Sequence, residues 1–158
     1  MFADIAALFF DLDGTLVDSV PDLAAAVNVM LGQVGLPARA ESQVRDWVGN
    51  GVDNLIHRAL TNDMAGRAEP DLFARAKPLY KAAYGEHISV YSAVYPGVRE
   101  GLTQLRAAGL PMACVTNKLA EFALPLLSQL AIGHFFAAVV GGECVANPKP
   151  APDALLLC

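Results

Sequence analysis

The sequence predicts an α/β fold: a doubly wound, Rossmann-like parallel sheet with a helical cap inserted after the first strand. Three observations carry this. Short apolar runs at residues 6–12 and 112–116 end abruptly in polar residues, as strands buried on both faces do. From Ser19 to about Tyr91, Ala, Leu and Val recur at spacings of three and four, the period of helices. After Tyr95-Pro96-Gly97 strand and helix patterns alternate again, which is the order of a parallel sheet with crossover helices. The expected division is a core of residues 1–17 and 94–158 and a four-helix cap of residues 18–93.

Residues 6–12 form the first expected strand, closing on Asp11, Asp13 and Gly14. In open α/β sheets that C-terminal end is where ligands sit. Four helices are expected next, near 21–34, 42–48, 51–62 and 70–88, separated by Gly35, Gly49 and the segment from Asn62 to Pro70. Pro21 suits a first turn and Asp18 or Ser19 a cap. Pro78 is expected to kink or divide the last of the four. A helix over 98–108 should stop at Gly109. The pattern then gives a strand at 112–116, a helix at 120–130 interrupted by Pro125, a strand at 137–140, and the opening of a helix at 152–158.

Composition narrows the function. Hydrophobic residues make up 54% of the 158 and charged residues 17%, so the chain can bury a core and is not of the disordered class. The net charge of −5 comes with no basic block, which argues against nucleic-acid binding. Residues 1–10 carry no Lys or Arg and run straight into the acidic pair, unlike a leader or a membrane span. A cytoplasmic protein that binds no membrane is the expectation. Cys114, Cys144 and Cys158 show no zinc-ligand spacing and read as reduced thiols, Cys114 as a small buried hydrophobe.

The chemistry concentrates in Asp11-Leu12-Asp13-Gly14-Thr15. Two carboxylates one residue apart project from a strand end, and Gly14 lets the backbone turn and approach a ligand. Hard oxygen donors of this kind suit magnesium, which commonly takes one or two carboxylates beside phosphate oxygens. Val115-Thr116-Asn117-Lys118 closes the next strand, where a hydroxyl and exposed N–H groups can cradle a phosphate, or simply cap a helix. Lys149, between Pro148 and Pro150, is a cation on a stiff loop beside a new helix. Gly49-Asn50-Gly51 reads both as a helix-ending turn and as a polar loop facing substrate.

The run from Asp11 to Ser19 resembles the first motif of the haloacid dehalogenase superfamily in the form its phosphatase branch uses. Thr116 resembles the second motif, and Lys149 in Lys-Pro-Ala-Pro the third. Together with Gly49 to Val52 and Tyr95 to Val98, they are similar to the bacterial phosphoglycolate phosphatase family. The resemblance implies a magnesium-dependent hydrolysis of a small phosphorylated substrate, most directly 2-phosphoglycolate, through an aspartyl-phosphate. In it Asp11 is the nucleophile and Asp13 the general acid and base. Thr116, Asn117, Lys149 and Asn50 bind substrate, and Asp11 with the main-chain carbonyl of Asp13 holds the metal. Dehalogenases and phosphonatases of the superfamily generally lack the second aspartate, so Asp13 favours phosphoester chemistry. A sugar-phosphate phosphatase or mutase stays open, as does a non-catalytic homologue acting as a binding module.

The family also places an acidic loop on a strand after the lysine helix, and the 158 residues contain no counterpart. The expectation is therefore a sheet whose C-terminal part is missing, leaving the first strand with an open edge suited to self-association.

Overall fold

The computed structural model describes residues 5–158. Residues 1–4, the start of the expected core and of the stretch unlike a leader, lie outside the described residues. The described residues form two compact units, one of residues 5–18 and 93–158 and the other of residues 19–92.

In the first unit, β1 (Leu8–Phe10), β4 (Met112–Val115) and β5 (Ala138–Val140) make a parallel sheet in the order β1-β4-β5. The register pairs Phe10 with Cys114 and Cys114 with Val139. β4 is central and buried at every residue, which is why it reads as an unbroken apolar run. Around it the core takes Leu12, Leu102, Phe122, Leu126, Leu127, Ile132 and Val140. Among the described residues β1 has a strand partner on one side, and Phe9 on it is 44% exposed.

A second, two-stranded ladder has no counterpart in the expectations. β2 (Val17–Asp18) and β3 (Ala93–Val94) pair antiparallel, Val17 with Val94 and Asp18 with Ala93. The first unit therefore takes in Asp18 and Ala93, each one residue beyond the expected junction. Strands of two residues carry no readable alternation.

α5 (Val98–Ala107) and α6 (Ala120–Gln129) follow β3 and β4, and α7 (Asp153–Leu157) follows the Lys149 loop. α5 ends as its Gly109 predicts: Gly109 sits at φ +76°, its N–H donates to Arg106 and that of Leu110 to Leu105. This is the double bond of a glycine-terminated helix. α6 ends the same way with Ala131 at φ +51° in the glycine position, its N–H donating to Ser128 and that of Ile132 to Leu127. The guanidinium of Arg99 on α5 donates to the Leu130 and Ala131 carbonyls, closing that helix end with a cation.

The second unit holds α1 (Val20–Gln33), α2 (Glu41–Trp47), α3 (Val52–Thr61) and α4 (Pro70–Glu86). α1 packs chiefly on α4, around Val27, Met30, Leu31, Val44, Ile56, Ala59, Tyr80 and Tyr84. Ser19 occupies the position before α1 without a side-chain cap bond. The carboxylate of Asp22, buried in the first turn, instead accepts from Tyr91 N, from Ser92 N at 2.7 Å and from Ser92 Oγ at 2.6 Å. That contact ties the start of the helical unit to its end.

Pro78 and Pro125 each lie inside a single helix, α4 and α6, so neither helix is divided. Both prolines are exposed, as are Ala74 and Glu121 four residues earlier. Water can therefore replace the bond each proline removes. No helix among the described residues is long and apolar enough to cross a membrane.

Candidate active site

The C-terminal ends of β1 and β4 bring Asp11, Asp13, Thr116, Asn117 and Lys149 into one place. After β1 the chain doubles back. The Leu12 carbonyl accepts from Leu16 N and Val17 N at 3.0 and 3.1 Å, and Gly14 N donates to Val17 O at 2.8 Å. Gly14 takes φ +79° there, a conformation open to glycine and costly for a residue with a Cβ. The fold leaves Leu12 buried and turns the acids on either side of it toward the sheet end.

Asp11 Oδ1 accepts from Leu12 N at 2.8 Å and lies 2.8 Å from Lys149 Nζ. Lys149 Nζ also donates to the Val115 carbonyl at 2.7 Å, and Asn117 Nδ2 donates to the Lys149 carbonyl at 3.0 Å. One lysine thus links the ends of β1 and β4, and Asn117 holds the backbone that carries it. Thr116 is buried, its N–H donates to Val140 O, and its Oγ1 accepts from Lys118 N at 3.1 Å. The hydroxyl thereby caps the turn that opens toward α6.

Sequence reasoning missed Lys118 as a site residue. Its Nζ lies 3.1 Å from Oδ1 and 3.2 Å from Oδ2 of Asp13, with the two side chains 5% and 13% exposed. Its place directly after Thr116 and Asn117 was the signal, but its partner, 105 residues away, was not readable. Gly141 and Gly142 were missed as well. A Cβ on Gly142 would meet Asn117 O at 2.8 Å, and one on Gly141 would meet Ala120 N at 2.6 Å. Glycine is therefore needed for this loop to lie flush against the Asn117–Lys118 turn.

Cys114 lies behind the site on β4. Burial first, then the charge of Asp11, pushes its thiol up to about 12, so it stays a neutral hydrophobe. Asn50 belongs to the other unit and is exposed. There its Oδ1 accepts from Arg58 Nη1 at 3.1 Å and its carbonyl from Asn54 Nδ2 at 2.7 Å, while Arg58 also holds Trp47 O.

The donors are hard oxygens, which suits magnesium. The Asp11 carboxylate and the main-chain carbonyl of Asp13 are the groups that would hold such an ion. Among the described residues no group of three or more His, Cys, Asp or Glu side chains is placed to hold a metal. Waters and substrate oxygens would complete the shell.

A family model for haloacid dehalogenase-like hydrolases matches residues 8–158. A phosphoglycolate phosphatase of Nitrosococcus oceani is 47% identical over 149 residues, covering 94% of this chain and 66% of that protein. One from Nitrosospira multiformis is 44% identical over 96% of this chain and 67% of its own length. Among solved structures, a predicted phosphoglycolate phosphatase of Haemophilus somnus superposes with a TM-score of 0.87 at 38% identity, over 94% of this chain and 67% of that one. The chain thus spans about two thirds of the length of these relatives. With the acid pair at the end of β1, the threonine at the end of β4 and the lysine loop beyond β5 in that order, the chain belongs to the haloacid dehalogenase-like hydrolases.

Proposed function

We propose that the protein hydrolyses a small phosphomonoester, 2-phosphoglycolate, to glycolate and phosphate through an aspartyl-phosphate on Asp11. The observation that carries this is the pair of strand-end carboxylates, each matched by its own lysine: Asp11 by Lys149 and Asp13 by Lys118. The names of the relatives that match most of the chain support the substrate.

Among the described residues both contacts of Asp11 fall on Oδ1, which leaves Oδ2 to attack phosphorus. As the P–O bond to Asp11 forms, the P–O bond to glycolate breaks, and Asp13 gives its proton to the departing oxygen. Asp13, now a carboxylate, takes a proton from water. The water oxygen bonds to phosphorus and the electron pair of the acyl-phosphate bond returns to Asp11. Thr116 and the turn it caps would receive the phosphoryl oxygens, and Lys149 offsets the repulsion between the nucleophile and a phosphate dianion. A magnesium ion held by Asp11 and the Asp13 carbonyl would neutralise charge on those oxygens.

In this reading Asn50, whose Oδ1 accepts from Arg58 Nη1, supplies a polar group for substrate. Three free thiols, two of them exposed, suit a reducing, cytoplasmic setting.

Phosphate release from 2-phosphoglycolate and from a panel of sugar phosphates, with and without magnesium, tests the proposal. Turnover should require magnesium, favour 2-phosphoglycolate, and fall on the order of a thousandfold or more in Asp11→Asn, which keeps the side-chain shape. Turnover that survives in Asp11→Asn overturns the mechanism, and preference for a sugar phosphate overturns the substrate.

A further inference from the structure

We infer that Lys118 is a positioning residue for Asp13, holding its carboxylate in register through both halves of the reaction. The inference rests on the hydrolysis proposed above and goes beyond it by assigning a residue outside the acid pair, the threonine and the lysine loop.

Lys118 is fixed at both of its peptide groups. Its N–H donates to Thr116 Oγ1 at 3.1 Å, and its carbonyl accepts from Gly142 N at 3.1 Å. Two residues further along the turn, Ala120 N donates to Glu143 Oε1 at 2.7 Å. The turn is thus pinned from the Gly141-Gly142-Glu143 loop, and the lysine stem starts from a defined point. At the other end the ammonium meets both oxygens of Asp13, at 3.1 and 3.2 Å, with only 5% of the lysine side chain exposed.

A buried ammonium loses hydration that one ion pair rarely repays, and an apolar side chain of similar length generally serves packing as well or better. Packing therefore does not explain a lysine here. The proposed chemistry does. Asp13 must face the departing oxygen in the first half and a water in the second, and each transfer needs alignment within a fraction of an ångström. In the first half Asp13 passes its proton to glycolate and becomes an anion, which the ammonium beside it stabilises. In the second half it takes a proton from water while the acyl-phosphate bond opens. Lys118 neither gains nor loses an atom in either half.

The test compares Lys118→Met, which keeps length without charge, with Lys118→Arg, which keeps a cation. Steady-state and single-turnover kinetics are measured with 2-phosphoglycolate and with an aryl phosphate whose leaving group needs no proton. In Lys118→Met, kcat for 2-phosphoglycolate should fall on the order of a hundredfold with KM changed less than threefold. Phosphoenzyme formation from the aryl phosphate should be spared and its hydrolysis slowed. Lys118→Arg should recover a substantial part of the loss. Equal losses on both substrates and in both steps, tracking a lower melting temperature and unrelieved by arginine, would mean a purely structural lysine and overturn the inference.

A second measurement needs no turnover, so it stands even if the proposed activity fails. Reductive methylation read by mass spectrometry should modify Lys118 far more slowly than the partly exposed Lys77, and Asp13→Ala should remove that protection. Lys118 reacting as fast as Lys77 in the parent, or staying equally protected in Asp13→Ala, overturns the inference.

Discussion

Lys149 Nζ stands 2.8 Å from Asp11 Oδ1 while it donates to the carbonyl that ends β4 at 2.7 Å. A charge that could serve the nucleophile alone is thereby also a strut between two strands. The distance from Asp11 to the Thr116 turn is set by one side chain and by the Asn117 amide that grips its backbone. The predictions below test this site and the frame around it.

Asp13→Asn should separate the two halves of the reaction. With an activated aryl phosphate, whose leaving group needs no proton, Asp11 can still be phosphorylated, but hydrolysis loses its base. Rapid-quench trapping should show an acid-stable phosphoenzyme that builds up in Asp13→Asn and decays at least about a hundredfold more slowly than in the parent. If neither protein yields an acyl phosphate, covalent catalysis is wrong.

Asp22→Ala should destabilise the protein by roughly 2–4 kcal/mol, since it strands the buried Ser92 amide and hydroxyl and removes the partly buried bond to the Tyr91 amide. Hydrogen exchange at the Tyr91 and Ser92 amides should accelerate before the rest of the helical unit does. Unchanged protection at both amides would show that the buried carboxylate does not hold that end of the chain.

How far the sequence foretold these residues depends on the range of each contact. The sheet strands and the helices were legible because apolar runs, helical spacing and the glycines at 35 and 109 are local signals. Asp11, Asp13, Thr116 and Lys149 were legible as strand-end and loop residues for the same reason. The bond from Asp22 to Ser92 spans 70 residues and that from Lys118 to Asp13 spans 105, and no local pattern encodes either. The β2–β3 ladder was lost because two residues per strand are too few to show a period. Pro78 and Pro125 do not divide their helices, because at an exposed position water can satisfy the carbonyl that each proline orphans.

Ala131→Gly should stabilise the fold. Ala131 holds φ +51° at the end of α6, and removing its Cβ relieves strain that exceeds the extra freedom glycine gains when unfolded. The net gain should be about 0.5–1 kcal/mol, seen as a melting temperature higher by about 2–3 °C. A lower melting temperature would mean that the left-handed turn is relaxed with alanine in place.

Cys114 sets an alkaline limit. Its thiol is raised by burial, and then by Asp11, from 9.0 to about 12, so the folded state keeps a proton that the unfolded chain releases. Its contribution to stability is whole below pH 9 and is lost as the pH climbs through about 12. Cys114→Ala should flatten this part of the stability profile. At pH 8 iodoacetamide should modify the exposed Cys144 and leave Cys114 untouched until the protein unfolds. An equally steep profile in Cys114→Ala would place the alkaline sensitivity elsewhere.

The β2–β3 ladder bears on how such a chain could be cut and rejoined. Asp18 and Ala93 are direct partners, so their Cα atoms stand about 5 Å apart, the spacing at which a hairpin needs two connecting residues. Whatever lies between them in the sequence is attached as though to a single point. Excising residues 19–92 and splicing in Asn-Gly would ask the sheet unit to close a hairpin already half built. Grafting a foreign helical module at the same point would add only the slowly growing entropy of a longer loop. The ladder is a socket, and it makes the inserted segment an exchangeable part.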